Sequence, residues 1–585
     1  MNIKFLVLLT LIVTPFLIVS GHEGHDKKRA HQHTEKELTA GLNDVLPQGW
    51  PTIDLGSPAI RNISYPCYVN IELVDADNGE PVTGLIRFFT ENGQRVVPES
   101  LLPRSTGIRQ DHYGISAFRR LDSWSVLIDQ HKVLLPRKKL YIEAFKGNET
   151  VMSRMMIDLS NKDKAEFKVP IKKFLPKVFD EFYSGNVHLH YKNISRSAAD
   201  HYTLEVPKAD GLDVVFFSYL ERKGSDKYYP SNKFTLNDLK YFSDKTGVLF
   251  GWGEEYRHNF PSMHYYGYGF GHIMLLNMNE MILPASVGPA LSDDLYDDGT
   301  LFDVLVEARK RGGTTLWCHN RQGLEDIPNW IAGNLDAQVI FEGFSNDSYH
   351  DTFYRYLNIG LHVPFSTGTD WFLRDMAMTY VKTPQPLSLE GWLKSLREGK
   401  SFISNGPMLN LAVNDEGVGG IVIAKNKDKL KLSGKGYARK DFKQMELIKN
   451  GKVIETIPTQ FIDGHYVAIL DKQIEVDGSA WFALRIPLFT TMHYDRPEPG
   501  YPGFNEFGMP LFAHTSAVYV RVNGQDVFLE QAAKSLMAEV DWDKQTIIEH
   551  SVFSSEAESQ YVQDVYNNAI ETLKAAIEKG SLKSR

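Results

Sequence analysis

The 585-residue sequence has little cysteine, with Cys67 and Cys318 as its only two. They fall in stretches of different character, so we expect no disulfide between them, and the class of small disulfide-rich secreted domains is excluded. Stability must therefore come from hydrophobic cores. A chain of this length exceeds what one core can organise, which predicts about two to four domains.

The sequence also lacks an excess of basic residues and, beyond its N-terminus, long apolar runs. It has 64 Lys and Arg against 73 Asp and Glu, a net charge of −9 and no basic stripe, so we expect no nucleic-acid partner. An apolar run at residues 5–19 follows Lys4 and ends in Ser20-Gly21, which is typical of a secretory signal peptide over residues 1–21. No later segment is apolar enough to span a bilayer. We expect a secreted or periplasmic protein without membrane association after signal cleavage.

The pattern of residues then changes several times along the chain. Residues 22–59 form a polar linker with four histidines, which predicts either metal binding or a disordered N-terminus. Residues 60–172 alternate between apolar and polar positions around Asn-Gly turns, which predicts a β-sandwich-like domain. A small β domain is predicted over residues 411–530, with a hairpin at Asn450-Gly451. Residues 531–585 form a predicted helical tail that docks on the chain's own core or, as the second option, forms a homodimer.

The central stretch, residues 173–410, alternates apolar strands with helical spacing. Residues 212–217, 314–318 and 339–342 have the composition of buried strands, and residues 301–308 have helical spacing that stops at Gly312-Gly313. This alternation predicts an α/β domain with a parallel sheet, as a barrel or an open sheet. Active sites of such domains lie at the carboxyl ends of the strands.

His188 and His190 are separated by Leu189 in a segment that alternates as a strand does. Side chains two residues apart on a strand share a face, so both imidazoles can reach one metal ion. Taken alone, such a pair is more often two surface histidines. Its meaning depends on the other ligands.

Further residues of ligand type follow predicted strands, and each of them taken singly is more often a hydrogen-bonded buried residue or a helix cap. Imidazole with carboxylate suits Zn, Mn or Fe. A carboxylate can also bridge two ions that share a hydroxide nucleophile. The set therefore predicts a metallohydrolase. Its members are Glu254 or Glu255, His272, His319, Glu342 and Asp370.

The motifs occur in the order His-x-His, Gly-x-Glu, Gly-His, strand-His, strand-Glu and Gly-Thr-Asp. They are carried by residues 185–190, 253–256, 269–272, 319, 342–345 and 368–371, and a Ser-Phe-Ile-Ser-Asn-Gly-Pro segment follows at 401–407. This order resembles the polymerase-and-histidinol-phosphatase (PHP) superfamily, and more closely its CehA/McbA-type, carbaryl-hydrolase-like metallohydrolases. The resemblance covers roughly residues 180–525.

The resemblance implies a distorted (β/α)7 PHP-like barrel, flanked here by small N-terminal and C-terminal β domains. It implies one or two divalent ions, with Zn first and Mn or Fe as alternatives. The first ion would be held by His188, His190, Glu255 and Asp370. Glu255, His272 and His319 would hold the second, with Glu255 bridging. Glu255 is preferred to Glu254 because the family pattern is Gly-x-Glu, and Glu254 stays open.

The sequence departs from the superfamily at two places. Phe217-Ser218-Tyr219 stands where Thr-Asp-His is usual, and Trp371 and Phe372 follow Asp370 where a histidine is usual. A third ion is therefore not expected. Glu342 is offset by two residues relative to close relatives, a shift that keeps the same face of a strand.

The predicted function is a secreted hydrolase that uses a metal-bound hydroxide to cleave an ester, amide or carbamate of a small molecule. Asp370 would accept the proton of the water, and His319 would bind the second ion or stabilise the oxyanion. Residues 258–270 are rich in aromatic residues, which is typical of a pocket wall or lid or of an ordinary surface loop. The alternatives are a phosphoesterase using Arg257 or Arg321, a non-catalytic binding protein with a degenerate metal site, and a carbohydrate-binding surface protein.

Overall fold

The computed structural model describes residues 46–104, 123–221, 229–259, 269–278, 280–287, 296–318, 323–340, 349–371, 376–487 and 503–582. The predicted signal peptide and most of the polar linker lie outside these ranges. Among the described residues, no helix combines the length and the apolar composition that a bilayer crossing requires.

The N-terminal region consists of two small sheets. Their strands are β1 (Pro66–Asp75), β2 (Gly84–Thr90), β3 (Arg95–Val96), β4 (Ser125–Leu127), β5 (His131–Pro136), β6 (Lys139–Phe145), β7 (Ser153–Asp158) and β8 (Lys164–Ile171). One sheet has the order β5-β1-β8 and the other β3-β2-β6-β7, with β4 beside β2. Alternate residues of β1 are buried, and Ile71 shares one hydrophobic core with Phe88 of β2 and Ile142 of β6. Cys67 lies in this core, whereas Cys318 lies in another.

The central region supplies the strands that carry the candidate ligands. They are β9 (Phe182–His190), β10 (Val214–Tyr219), β11 (Leu249–Asn259), β12 (Gly269–Leu276), β13 (Ser286–Val287), β14 (Thr314–Trp317), β15 (Ala337–Val339), β16 (Phe365–Ser366), β17 (Asp370–Trp371), β18 (Met378–Lys382) and β19 (Ser401–Ser404).

Helices separate many of these strands. They are α1 (Arg196–Ala209), α2 (Leu236–Thr246), α3 (Leu301–Lys310), α4 (Asp326–Ala332), α5 (Arg355–Leu357), which continues a π-helical turn (His350–Tyr354), and α6 (Leu389–Arg397). Two 3₁₀ turns lie at Lys177–Phe179 and Pro230–Lys233. Helix α2 has the capping residues expected at both ends. Thr235 and Asp238 form a capping box at its start, and Gly247 ends it with φ +78°.

The large central sheet is mixed and curls as half a barrel. The α/β class predicted from the sequence is confirmed, but the sheet is not wholly parallel. Strands β9, β10 and β11 are parallel, and so are β14, β15 and β16. Strand β12 runs antiparallel between β11 and β14, and β18 runs antiparallel beside β9. Only residues 260–268 connect β11 to β12, which is fewer than the dozen or so that a parallel crossover needs.

The C-terminal β region continues this sheet. Its strands are β20 (Met408–Val413), β21 (Glu416–Gly417), β22 (Ile421–Ala424), β23 (Lys429–Ala438), β24 (Gln444–Lys449), β25 (Lys452–Pro458), β26 (Gln460–Ile462), β27 (His465–Glu475), β28 (Ala480–Arg485), β29 (Ala513–Thr515) and β30 (Val518–Val522). Five strands form a separate sheet in the order β21-β20-β23-β27-β26. The others join the central sheet because β19 pairs with β29.

Two consequences follow for the predicted organisation of this region. Residue 410 does not separate two sheets, because the pairing of β19 with β29 carries the central sheet into the C-terminal β region. The hairpin predicted at Asn450-Gly451 joins β24 to β25, and both turn residues have positive φ (51° and 83°), as a type I′ turn requires.

The chain ends in two helices, α7 (Glu530–His550) and α8 (Glu556–Lys579). Helix α7 begins one residue before the predicted helical tail, and α8 lies within it. Leu536 of α7 and Leu573 of α8 are buried in the same core as Trp330 of α4 and Leu305 of α3. The tail therefore packs on the chain's own core, the first of the two options that its amphipathic pattern left open.

Candidate metal centre

Four predicted ligands from three strands meet at one point. One nitrogen or oxygen atom from each of His188, His190, Glu255 and Asp370 lies within 4.8 Å of those of the other three. All four residues are fully buried. The structure therefore brings together the four residues that the resemblance assigned to a first metal ion.

Strand pairing explains why residues so far apart in the sequence converge. His190 ends β9, and the neighbouring strand β10 runs parallel to both β9 and β11, so the carboxyl ends of these strands share one edge. Asp370 begins β17 and pairs with Leu189, which places it between the two histidines. Strand β17 has only two residues, but its pairing with β9 is sufficient to bring Asp370 beside the two histidines.

The segment before Asp370 is tied closely to β9. A Cβ atom on Gly368 would lie 2.8 Å from the Cβ atom of His188, so only glycine fits there. The side-chain amide of Asn186 donates to Thr369 Oγ1 at 2.8 Å. Asp370 itself has φ +59°, a left-handed backbone conformation that costs a non-glycine residue of order 1–3 kcal/mol. Packing against β9 holds Asp370 in this conformation.

The distances between the four side chains suit a small cation. His190 Nε2 lies 2.9 Å from Glu255 Oε2, and His188 Nε2 lies 3.5 Å from that same oxygen. Asp370 Oδ1 lies 3.5 Å from His188 Nε2 and 3.7 Å from His190 Nε2. The two Nε2 atoms are 2.8 Å apart. Ligand atoms around a tetrahedral zinc ion lie about 3.4 Å apart, which follows from bond lengths of about 2.1 Å.

The protonation state of His190 favours a cation at this point. Its Nδ1–H donates to the carbonyl oxygen of Ser218 at 2.8 Å, which leaves the lone pair on Nε2. Burial lowers the pKa of His190 to about 4, so the ring is neutral at neutral pH. The Nε2 lone pair and the Glu255 carboxylate then face each other at 2.9 Å. Two acceptors this close repel unless a cation or a proton lies between them.

His272 lies on the other side of Glu255, outside the group of four. Its Nδ1 is 3.3 Å from Glu255 Oε1, and its Nε2 is 2.7 Å from Asn259 Oδ1, which accepts the ring proton. Because β12 is antiparallel to β11, the first half of β12 lies at the same sheet edge as the end of β11. Glu255 thus directs one oxygen to the histidine pair and the other to His272, as a bridging carboxylate does.

The structure also separates the two adjacent glutamates. Neighbouring residues of a strand face opposite ways, so Glu254 points away from the cluster. Its Oε2 accepts the N–H of Ile282 at 2.9 Å. Burial raises the pKa of Glu254 to about 8, so this carboxyl is mostly protonated at neutral pH. Glu255, not Glu254, is the member of the cluster.

Several predicted residues lie outside the described ranges, namely His319, Glu342, Arg321, Phe372 and most of the aromatic segment at residues 260–268. Cys318, the residue before His319, donates its N–H to the carbonyl of His272 at 3.2 Å. Arg257 is buried, and its Nη2 donates to the carbonyl of Glu221 at 3.1 Å.

The supporting residues Asn186, Ser218, Asn259 and Thr369 were not among the predicted site residues. Ser218 acts through its backbone carbonyl, so no side-chain pattern identifies it. Asn259 lies four residues after Glu255 on β11, and this spacing places both on one face. Even spacing from a predicted ligand is the one signal in the sequence that points to such a residue.

Comparison with known proteins adds no relative. No family model and no curated protein matches the chain. Among solved structures, the chain is similar at 8% identity and a TM-score of 0.16 to the β-glucuronidase of Parabacteroides merdae. The aligned part covers 76% of this chain and 60% of that one. A likeness this weak bears on neither fold nor function.

Proposed function

We propose that this protein is a secreted, metal-dependent hydrolase of the CehA/McbA type within the PHP superfamily, acting on an ester, amide or carbamate of a small molecule. The observation that carries the proposal is the buried meeting of two imidazoles and two carboxylates at His188, His190, Glu255 and Asp370. This donor set, with its facing lone pairs, fits a divalent cation of the Zn, Mn or Fe group.

The ligand assignment divides the residues between two positions. His188, His190, Glu255 and Asp370 would hold the first ion. Glu255 would also contribute to a second position beside His272, and His319 would complete that set. A divalent ion so held supplies Lewis-acid polarisation of the scissile oxygen and lowers the pKa of a water molecule towards neutrality.

The protein's own side chains have distinct roles in this proposal. The carbonyl of Ser218 fixes the His190 ring with its Nε2 lone pair directed at the cluster. Asp370 accepts the proton that the attacking water loses, and its tie to β9 keeps the carboxylate beside both rings. Burial of all four residues excludes bulk water, which strengthens each electrostatic interaction in the site.

The proposal also extends to the finer fold, a distorted (β/α)7 barrel. Two parallel strand–helix–strand units support it: α1 lies between β9 and β10, and α2 lies between β10 and β11. The reversed strands β12 and β18 are the distortions that such a barrel would have to contain.

Metal analysis combined with a substrate screen tests the function. Protein purified without chelator should carry one or two Zn, Mn or Fe ions per chain and hydrolyse members of a panel of esters, carbamates and amides, with phosphoesters included as the competing class. His188→Ala should lose both metal and activity. His201→Ala, a change to an exposed histidine on α1, is the matched control and should keep both. Metal-free wild-type protein, or full activity in His188→Ala, would contradict the proposal.

A second candidate function is a closed structural metal centre in a binding protein, which the complete burial of the four ligands favours. Structural sites are closed, whereas catalytic sites keep a position open for water. Thermal unfolding of the metal-depleted protein separates the two. A structural ion should lower the melting temperature strongly when removed, with no hydrolysis lost; a catalytic ion should abolish hydrolysis with a smaller effect on melting.

A further inference from the structure

A cavity of about 480 Å³ lies at the opposite edge of the same strands. It is lined by Tyr183 near the start of β9, by Asp213 just before β10 and by Val248 just before β11. Tyr183 precedes His188 by five residues, and a strand rises about 3.3 Å per residue, so the cavity and the metal centre are about 16 Å apart. The cavity is therefore a separate site, within the size range of small-ligand pockets.

Three lysines from three different elements line this cavity. Lys146 follows β6, Lys173 follows β8 and Lys208 lies in the last turn of α1. The loop that carries Lys146 is held in place from both sides. Thr150 Oγ1 donates to the carbonyl of Lys146 at 2.8 Å, and Arg439 Nη1 donates to the carbonyl of Gly147 at 3.1 Å.

The acidic residues that line the cavity are largely engaged by other groups. Asp213 Oδ2 accepts the backbone N–H of Ser184 at 2.8 Å and its hydroxyl at 3.0 Å. Glu149 pairs with Lys173 at 3.5 Å. Asp180 is exposed. The lining holds three lysines and three acidic residues, so its formal charges balance. Among the described residues, Lys146 and Lys208 form no ion pair within 4 Å, so their ammonium groups are the two cations of the cavity that a ligand can pair with.

The titration behaviour of Lys146 agrees with this geometry. Burial and the nearby ammonium of Lys173 hold the pKa of Lys146 below its usual range, although the carboxylates of Glu149 and Asp213 act in the opposite direction. Such a shift is expected of a partly buried cation whose carboxylate neighbours do not form a close ion pair with it. The end of α1 also faces the cavity, but its last carbonyls already accept backbone N–H groups, as those of Val206 and Pro207 do from Asp210 and Leu212.

Apolar residues also contribute to the lining of the cavity. Phe179, Phe182 and Leu212 line it, and all three are buried among other hydrophobic residues. A ligand that contacts both the lysines and these apolar residues has a negatively charged group and an apolar body. We infer that this cavity binds a small organic anion, with the charged group between Lys146 and Lys208 and the apolar body against Phe179 and Phe182.

Isothermal titration of the full-length protein with benzoate and with acetate tests the inference. Both probes carry a carboxylate, but only benzoate has an apolar body, so it should bind at least about tenfold more tightly. Lys146→Met and Lys208→Met should each weaken benzoate binding by about tenfold. Lys240→Met removes an exposed lysine that pairs with Asp244 on α2 and should leave the affinity unchanged.

The His188→Ala variant shows which site the probe occupies. Benzoate binding that persists in His188→Ala and is lost in Lys146→Met with Lys208→Met supports the inference. Absence of benzoate binding to the wild type overturns it, and so does binding that is lost in His188→Ala but kept in the lysine variants. Circular dichroism checks folding; should Lys146→Met unfold, Lys208→Met alone decides, because this side chain lies on an outer helix turn.

Discussion

The two edges of the central sheet present different charged side chains. At the carboxyl ends of β9 and β11, two imidazoles and two carboxylates meet, a set that could hold a cation. At the starts of β9, β10 and β11, a cavity is lined by three lysines and three acidic residues, and within the described part of the chain Lys146 and Lys208 form no ion pair within 4 Å.

The part of the strands between these edges explains how both sites can coexist. Val187 and Leu189 of β9 and Val215 and Phe217 of β10 are buried in hydrophobic cores. Apolar packing in the middle holds the sheet together, so charged side chains are confined to the ends. The comparison teaches that one set of packed strands can present charged side chains at both ends while its middle remains apolar.

The largest effect is expected from Asp370→Asn at the carboxyl edge. Asparagine tolerates the left-handed backbone at this position, so the change removes the charge and the proton acceptor but leaves the fold. We expect kcat to fall by about 10²- to 10⁴-fold, the range for a general base. Asp463→Asn is the matched control, because Asp463 is an exposed aspartate that also has positive φ, 47°. Equal kcat in the two variants would remove Asp370 from the mechanism.

Gly368→Ala tests the contact that brings Asp370 to the histidines. The added methyl group would lie 2.9 Å from the backbone nitrogen of His188, so β17 must shift away from β9. We expect a loss of about 1–3 kcal/mol in the free energy of unfolding, together with weaker metal binding. Gly417→Ala should be nearly neutral, because no atom lies within 4 Å of the added Cβ. Chemical denaturation and metal titration measure both effects.

Asn259→Ala separates the two proposed metal positions. Asn259 accepts the ring proton of His272 and so orients Nδ1 towards Glu255. Loss of such a supporting hydrogen bond lowers metal affinity by about 10- to 100-fold. We expect the second ion to weaken by this amount and the first to be unaffected, as measured by stepwise metal titration. Equal weakening of both ions, or of neither, would argue against a distinct position beside His272.

The smallest effect is expected from Asp213, at the cavity edge of the sheet, and it is a change in stability with pH. Burial raises the pKa of Asp213 from 3.8 to about 6. The folded protein therefore keeps a proton that the unfolded chain releases at lower pH, and stability falls as pH rises from about 4 to about 6. Asp213→Asn should flatten this part of the stability profile by about 1–2 kcal/mol. Thermal unfolding between these pH values measures it, and parallel profiles for the two proteins would contradict the assignment.

Part of the candidate metal centre could be predicted from local patterns, whereas the complete ligand set was implied by the resemblance to the PHP superfamily. The spacing of His188 and His190 places both rings on one face of a strand, and the Gly-x-Glu pattern favoured Glu255 over Glu254. The direction of β12 could not be predicted, because an apolar segment such as residues 273–276 fits a parallel and an antiparallel strand equally well. The reversal matters, because it moves His272 to the carboxyl edge of the sheet.

The cavity lined by Lys146, Lys173 and Lys208 was not predicted from the sequence. Lys146, Lys173 and Lys208 are separate charges in a sequence that has 64 basic residues, and no spacing connects them. They line one cavity because the ends of β6, β8 and α1 lie close together in the folded protein.

The sequence by itself determined which faces of its strands and helices are apolar, that two histidines share a face, and that a helix forms the C-terminus. Tertiary structure alone decided that Asp370 lies between those histidines, that Glu254 turns away from them, and that three lysines surround one cavity. The physical reason is the range of the interactions. Side-chain periodicity is set by backbone geometry within one element, whereas pairing between distant strands depends on the packing of the whole sheet.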